Sequence, residues 1–128
     1  MIKIDRMDHV VLTVRSITET CSFYERTLGI EIVMFGDNRC ALAFGDQKIN
    51  LHEAGREFEP KADRPTPGSA DICFISSTPM SKVLAHLQRL GVPIEQGPVQ
   101  RTGALGAIQS VYIRDPDANL IEVSNYLD

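Results

Sequence analysis

Only three cysteines in 128 residues, no long apolar run and no basic run already narrow the chemistry of this chain. Cys21, Cys40 and Cys73 are odd in number, scattered, and set among apolar neighbours. They read as buried reduced thiols of a cytoplasmic protein, not as a zinc cage or a disulfide frame. No stretch approaches membrane-spanning length, and the N-terminus lacks the apolar centre of a signal peptide. A formal net charge of -4 without a basic cluster sets nucleic acid aside as a partner. No Ser or Cys occupies a Gly-x-Ser-x-Gly elbow, so covalent catalysis has no support. Arg101-Thr102-Gly103-Ala104-Leu105-Gly106 lacks the Gly-Lys-Ser/Thr ending and following helix of a phosphate-cradling loop.

What remains is ordinary globular material, 43% apolar and 23% charged, enough for a single compact domain over residues 1–128. Asp8–Val14 alternates like a strand, and Ser16 is placed to cap a helix that Gly29 stops near Leu28. Ile17, Cys21, Tyr24 and Leu28 are its expected buried stripe. Strands are expected near 31–35, 39–44 and 47–53, with Gly36-Asp37-Asn38 and Gly45-Asp46 as turns. Residues 54–69, rich in Pro, Gly and charge, read as a linker between a first module (5–53) and a second (70–126). The second module repeats the order: a strand at 70–76, a helix over 80–90, then strands near 93–100, 107–114 and 119–126. Val83, Leu84, Leu87 and Leu90 are the buried positions expected of that helix. An offset of 62 residues aligns Leu28-Gly29 with Leu90-Gly91 and puts His9 on Asp71. The expected class is α+β: two βαβββ modules whose mixed sheets enclose a cleft, helices outside.

Asp115-Pro116-Asp117-Ala118-Asn119 is turn chemistry, and the strand after it carries Glu122 among apolar residues. Ile121 and Val123 face one way, while Leu120, Glu122 and Ser124 face the other. A carboxylate inside a buried strand is costly unless it is paired or binds a metal. By the same alternation Asn50 and His52 face away from Ile49 and Leu51. His9, His52, Asp71 and Glu122 therefore form a candidate set for a divalent ion such as Zn²⁺, Mn²⁺, Ni²⁺ or Fe²⁺. Each also has a plainer reading. His9 reads as a hydrogen-bonded histidine at a strand start, Asp71 as a turn cap and His52 as a surface residue beside the linker. Glu122 also reads as the ion-pair partner of Arg114, Arg101 or Arg39. The loop opened by Arg101 reads either as a clamp over an anionic substrate or as a flexible hairpin connection. Ser110 and Tyr112 alternate on one strand and read as hydrogen-bond donors to a ligand or as sheet packing. His86, on the second helix, is expected to face solvent.

Asp8-His9-Val10, Phe23-Tyr24 with Leu28-Gly29, and Asp115-Pro116-Asp117 followed by Asn119-Leu120-Ile121-Glu122 resemble the vicinal oxygen chelate superfamily. That group contains glyoxalase I, fosfomycin-resistance enzymes, extradiol dioxygenases and bleomycin-resistance proteins. More narrowly, residues 44–53, Glu57–Ala62 and Arg101–Ala104 resemble glyoxalase domain-containing protein 5 and its bacterial relatives, described as lactoylglutathione lyases or virulence-associated proteins. The resemblance implies a homodimer that binds a small molecule through a divalent metal, which chelates two neighbouring substrate oxygens and stabilises an oxyanion. It implies His9 and Glu122 as ligands, with Glu122 also the catalytic base, and Asn50, Arg101, Ser110 and Tyr112 as substrate contacts. Asp71 stands where the family usually has His, and Asn50 where glyoxalase I has Glu, with His52 two residues further on the same face. The implied reaction is that of a lyase or isomerase of glyoxalase type. A thiol transferase, a ring-cleaving dioxygenase and a non-catalytic drug-binding protein of bleomycin-resistance type are the alternatives.

Overall fold

Residues 1–128 are described by a computed structural model, which divides at the Pro67–Gly68 bond into two compact units. In the first unit, β1 (His9–Val14) leads into α1 (Ile17–Leu28), followed by β2 (Glu31–Phe35), β3 (Arg39–Phe44) and β4 (Gln47–Glu53). The second unit repeats this with β5 (Asp71–Ile75), α2 (Met80–Arg89), β6 (Gln96–Gly103), β7 (Gly106–Arg114) and β8 (Leu120–Tyr126). Each unit forms a four-stranded mixed sheet, ordered β1-β4-β3-β2 and β5-β8-β7-β6. In each, the first strand runs parallel to the last and the other pairs are antiparallel. The α+β class and the duplicated βαβββ order hold.

Local chemistry explains the ends of α1. The Ser16 side chain accepts the Glu19 amide at 3.2 Å, satisfying one of the orphan donors of the first turn. Gly29 takes φ 65°, a left-handed conformation that closes the last turn onto the Glu25 carbonyl. The buried stripe of α1 is not the expected one: Thr20, Phe23, Tyr24 and Thr27 are buried, while Ile17, Cys21 and Leu28 are only half-buried. Phe23 and Tyr24 meet edge to face at 5.3 Å, and the buried stripe lies about one residue from the expected one. On α2 the buried positions are Met80, Val83 and Leu87, whereas Leu84 and Leu90 are half-buried.

Two further expectations are corrected. β6 begins at Gln96 instead of near Pro93, because its ladder to β7 starts at the Gln96–Tyr112 pair and contains an irregularity before Val99. It then runs on through Arg101 to Gly103, which pairs with Gly106. The supposed loop from Arg101 to Gly106 is thus a tight hairpin whose connection is only Ala104-Leu105.

The turn before β8 is tied by its own acid. Asp115 Oδ1 accepts the amides of Asp117 and Asn119, both at 2.9 Å, and Oδ2 accepts the Asn119 side-chain amide at 2.8 Å. Asn119, fully buried, in turn accepts the Ala70 amide at 2.8 Å. The turn therefore fixes the start of β5 against β8, and so the register that puts Cys73 opposite Glu122. Ala118 carries the positive φ (66°), the left-handed step usually given to Asn or Gly.

Candidate functional site

In the second unit, alternation along β8 sends Ile121 and Val123 into the core and leaves Glu122 half-buried on the opposite face. Register brings Tyr112 of β7 and Cys73 of β5 to its two sides. A pocket of about 430 Å³ opens there, lined by Cys73, Ile75, Arg101, Tyr112, Glu122 and Tyr126, among others. The fully buried Ser110 hydroxyl donates to Glu122 Oε2 at 2.5 Å, and the Ser124 hydroxyl lies 2.6 Å from Ser110 and 3.5 Å from Glu122 Oε2. Both contacts fall on Oε2, and the Cys73 thiol also bears on the carboxylate. Each hydroxyl has one proton to give. With the Ser110 proton committed to the carboxylate, Ser124 donates to Ser110, and the Cys73 thiol, 3.4 Å from Ser124 Oγ, stands at the head of the chain.

None of the three arginines offered as a partner takes Glu122. Arg114 is paired with Glu95 through two bonds of 2.9 Å, Arg39 lies in the first unit beside His52, and Arg101 Nε donates to the Tyr112 hydroxyl at 3.0 Å. Arg101 is exposed, with its guanidinium 5.6 Å from the Tyr112 ring centroid. The Leu105 amide donates to the Tyr126 hydroxyl at 3.1 Å, which pins the β6–β7 hairpin to the end of β8. A side chain at Gly103 would press within 3.0 Å of that same hydroxyl.

Cys40 alone among the cysteines is buried; Cys21 is half-buried and Cys73 exposed, so the expectation of three buried thiols is corrected, though all three are free. Burial pushes the Cys21 thiol up to about 12, reinforced by Cys40 Sγ at 3.2 Å. The Cys73 thiol is also held above its usual range, first by burial, with the Glu122 and Asp71 carboxylates adding to it and the Ser124 bond opposing. A raised pKa means less thiolate at neutral pH. Cys73 should therefore alkylate with iodoacetamide more slowly than free cysteine despite its exposure, and Glu122→Gln should speed it. A wild-type rate equal to free cysteine across the pH profile would contradict this.

In the first unit, Asn50 and His52 do face away from the core side of β4, and both are buried, 5% and 3% exposed. His52 is thus not the surface residue of its plainer reading. Its Nε2 lies 3.3 Å from an Arg39 guanidinium nitrogen, and its ring meets Phe58 edge to face at 5.6 Å. Burial, and then the Arg39 charge, hold the imidazole below its usual pKa. A guanidinium only donates, so the neutral ring accepts at Nε2. His9 is the opposite case. Its Nδ1 lies 2.8 Å from the Asp8 carboxylate, an acceptor, so the neutral ring keeps its lone pair on Nε2. The hydrogen bond to His9 holds Asp8 below the usual carboxylate range.

His9 lies two residues before Val11, which pairs with Asn50; Asp71 lies two residues before Cys73, which pairs with Glu122. The duplication thus extends to register, with His9/Asn50 and Asp71/Glu122 in equivalent places. Asp71 is exposed at the start of β5. No three His, Cys, Asp or Glu side chains gather into a group able to hold a metal ion. Four participants were not singled out from the sequence: Arg39 as the partner of His52, and Cys73, Ser124 and Tyr126 around Glu122. Only the alternation of Arg39-Ala41-Ala43 against Cys40-Leu42-Phe44 could have flagged the first. His86, expected to face solvent, is half-buried with Nδ1 3.1 Å from Arg89.

The chain is 60% identical over 124 residues to virulence protein STM3117 of Salmonella typhimurium, covering 97% of this chain and 86% of the other. The crystal structure of that protein superposes with a TM-score of 0.97, covering 98% of this chain and all of the other. Glyoxalase domain-containing protein RDO1 of Mycosarcoma maydis is 52% identical over 122 residues, 95% of this chain and 69% of its own length. Lactoylglutathione lyase from Agrobacterium tumefaciens shares the fold, with a TM-score of 0.73 at 21% identity over 96% of this chain and 95% of that one. No helix is long and apolar enough to cross a membrane. With its family model matched over residues 6–123, the chain belongs to the Glyoxalase/Bleomycin resistance protein/Dioxygenase superfamily.

Proposed function

We propose that the chain is a metal-dependent enzyme of glyoxalase type, a lyase or isomerase acting on a small molecule with neighbouring oxygens. The observation that carries this reading is the Glu122 carboxylate: one oxygen is anchored by a buried hydroxyl, and the group stands at a pocket wall. Donor chemistry fits a divalent ion at two positions. Glu122 and His9 each have one atom fixed by a partner, as oriented ligands require. Asp71, exposed at the start of β5, is the second unit's counterpart of His9. His52, a ligand candidate from the sequence, fits less well, because its Nε2 faces a guanidinium that a cation would have to displace.

When bound, the metal supplies Lewis-acid polarisation of a substrate oxygen. The protein's own part is the proton. Glu122 accepts it from the substrate carbon next to the polarised oxygen and returns it to the neighbouring position, while Ser110 keeps the carboxylate from rotating. Tyr112 and Arg101, already joined, present a hydroxyl and a cation to the substrate's polar end.

Metal analysis of the purified protein tests this. Wild type should carry close to one equivalent of divalent metal, and His9→Ala and Glu122→Ala should lose most of it. Equally negligible metal in all three would remove the reading in favour of a binding protein without catalysis. That second reading is favoured by the engagement of His52 with Arg39 and by the absence of any three-residue ligand group.

We also propose that the working form is a homodimer. Val10 and Val11 on edge strand β1 and Ile75 on edge strand β5 are each more than two-fifths exposed, and exposed apolar edges are usually covered by a partner. Sedimentation at micromolar concentration should give twice the chain mass of 14.2 kDa, and a monomer throughout would sink the proposal.

A further inference from the structure

α1 and β3 of the first unit carry two cysteines that the Glu122 site does not use. Their Sγ atoms lie 3.2 Å apart, each thiol of Cys21 and Cys40 the hydrogen-bond partner of the other. Both are free. Cys73, the third, bonds Ser124 of β8 instead. Cys40 is buried at 4% exposure, with its strand neighbours Ala41 and Leu42 buried too, while Cys21 is half-buried on α1. A small solute therefore meets Cys21 first.

The backbone behind each thiol is held. α1 is capped at Ser16 and closed at Gly29, and Cys40 sits inside the sheet, paired with Met34 on one side and Leu51 on the other. Two anchored thiols in contact react with each other at an effective concentration that no small thiol in solution reaches. A sulfur–sulfur bond measures about 2 Å, so only about 1 Å of approach separates this contact from a covalent link.

We propose that Cys21 and Cys40 are a reversible redox pair, in which hydrogen peroxide oxidises Cys21 and Cys40 resolves the product into a disulfide tying α1 to β3. In the first step the Cys21 sulfur takes one peroxide oxygen, the O–O bond breaks, and the other oxygen leaves as water, giving a sulfenic acid. The Cys40 sulfur then attacks Cys21 sulfur, the S–O bond breaks, and hydroxide leaves with the Cys40 proton as a second water. Two electrons pass from the thiol pair to the peroxide. A small dithiol reverses the bond by exchange. Burial, and then the Cys40 hydrogen bond, keep Cys21 mainly as thiol at neutral pH, so the first step is slow. The link closes a loop of about twenty residues around β2, which stabilises the oxidised form. The proposal concerns the first unit alone and stands whether or not the protein is a metalloenzyme.

The test treats the whole chain with hydrogen peroxide, removes the excess with catalase, and alkylates with iodoacetamide during unfolding before mass spectrometry. Wild type should become two hydrogens lighter, keep one alkylatable thiol, and yield a peptide pair joined through Cys21 and Cys40 that dithiothreitol separates. The oxidised form should melt roughly five degrees or more above the reduced one. Cys73→Ser should form the same link, and Cys21→Ser should form none. Cys21 is only half-buried, so Cys21→Ser keeps the test valid if Cys40→Ser fails to fold. Three alkylatable thiols after peroxide, Cys21 recovered as sulfinic or sulfonic acid beside a free Cys40, a link through Cys73 or between two chains, or an oxidised form that melts no higher than the reduced one would overturn the proposal.

Discussion

Gly97→Ala should destabilise the protein by on the order of 3 kcal/mol and lower its melting temperature by roughly ten degrees or more. Two causes act together. Gly97 sits at φ 108°, outside the region an alanine adopts without strain, and an added Cβ would stand 2.4 Å from the Ser110 carbonyl oxygen and 3.0 Å from Val111 Cα. Both neighbours are backbone atoms of the central strand β7, so neither can swing aside. Movement of Ser110 is the consequence that matters for function, because its side chain holds Glu122. Thermal or urea unfolding with a fluorescent or circular-dichroism readout checks the prediction. A shift within half a kilocalorie of wild type, which is the usual range for a surface change, would contradict it.

A second large effect is expected at Glu122. Glu122→Ala removes a negatively charged donor and leaves the fully buried Ser110 hydroxyl without its acceptor. Orphaning one buried hydroxyl costs about 1–3 kcal/mol, so this variant mixes lost binding with lost stability. Glu122→Gln separates the two. Its amide oxygen still accepts from Ser110, so the fold should hold, while the loss of charge and of a hard anionic donor should weaken divalent-metal binding a hundredfold or so, at or beyond the effect of disturbing an oriented ligand's partner.

How much of this could be read from residue order differs from place to place. The βαβββ order was legible because Ser16, Gly29, Gly36 and Gly45 punctuate elements whose apolar period changes between helix and strand. The face on which Glu122, Ser110 and Tyr112 lie was legible for the same reason, since strand alternation fixes faces. Register was not legible. Whether Cys73 or Asp71 lies beside Glu122 depends on the Asn119–Ala70 bond, a tertiary contact no local pattern encodes. Nor could the sequence show that Arg39 turns to His52, because the two belong to different strands and meet only through β3–β4 pairing. The stripe of α1 was misread by giving Ile17 and Leu28 the weight that packing gives to Thr20 and Thr27. Small side chains carry little hydrophobic signal yet are buried where a helix comes close to its sheet.

Glu122 as a metal-holding carboxylate is the claim on which the functional reading turns, and metal titration of the stripped protein addresses it most directly. Wild-type chain freed of metal by chelator and titrated calorimetrically with Zn²⁺, Ni²⁺ or Mn²⁺ should bind one equivalent with at least one of them, and Glu122→Gln, folded to the same melting temperature, should bind it far more weakly. Equal affinity in wild type and Glu122→Gln, or saturation by none of the three ions in either, would contradict the account.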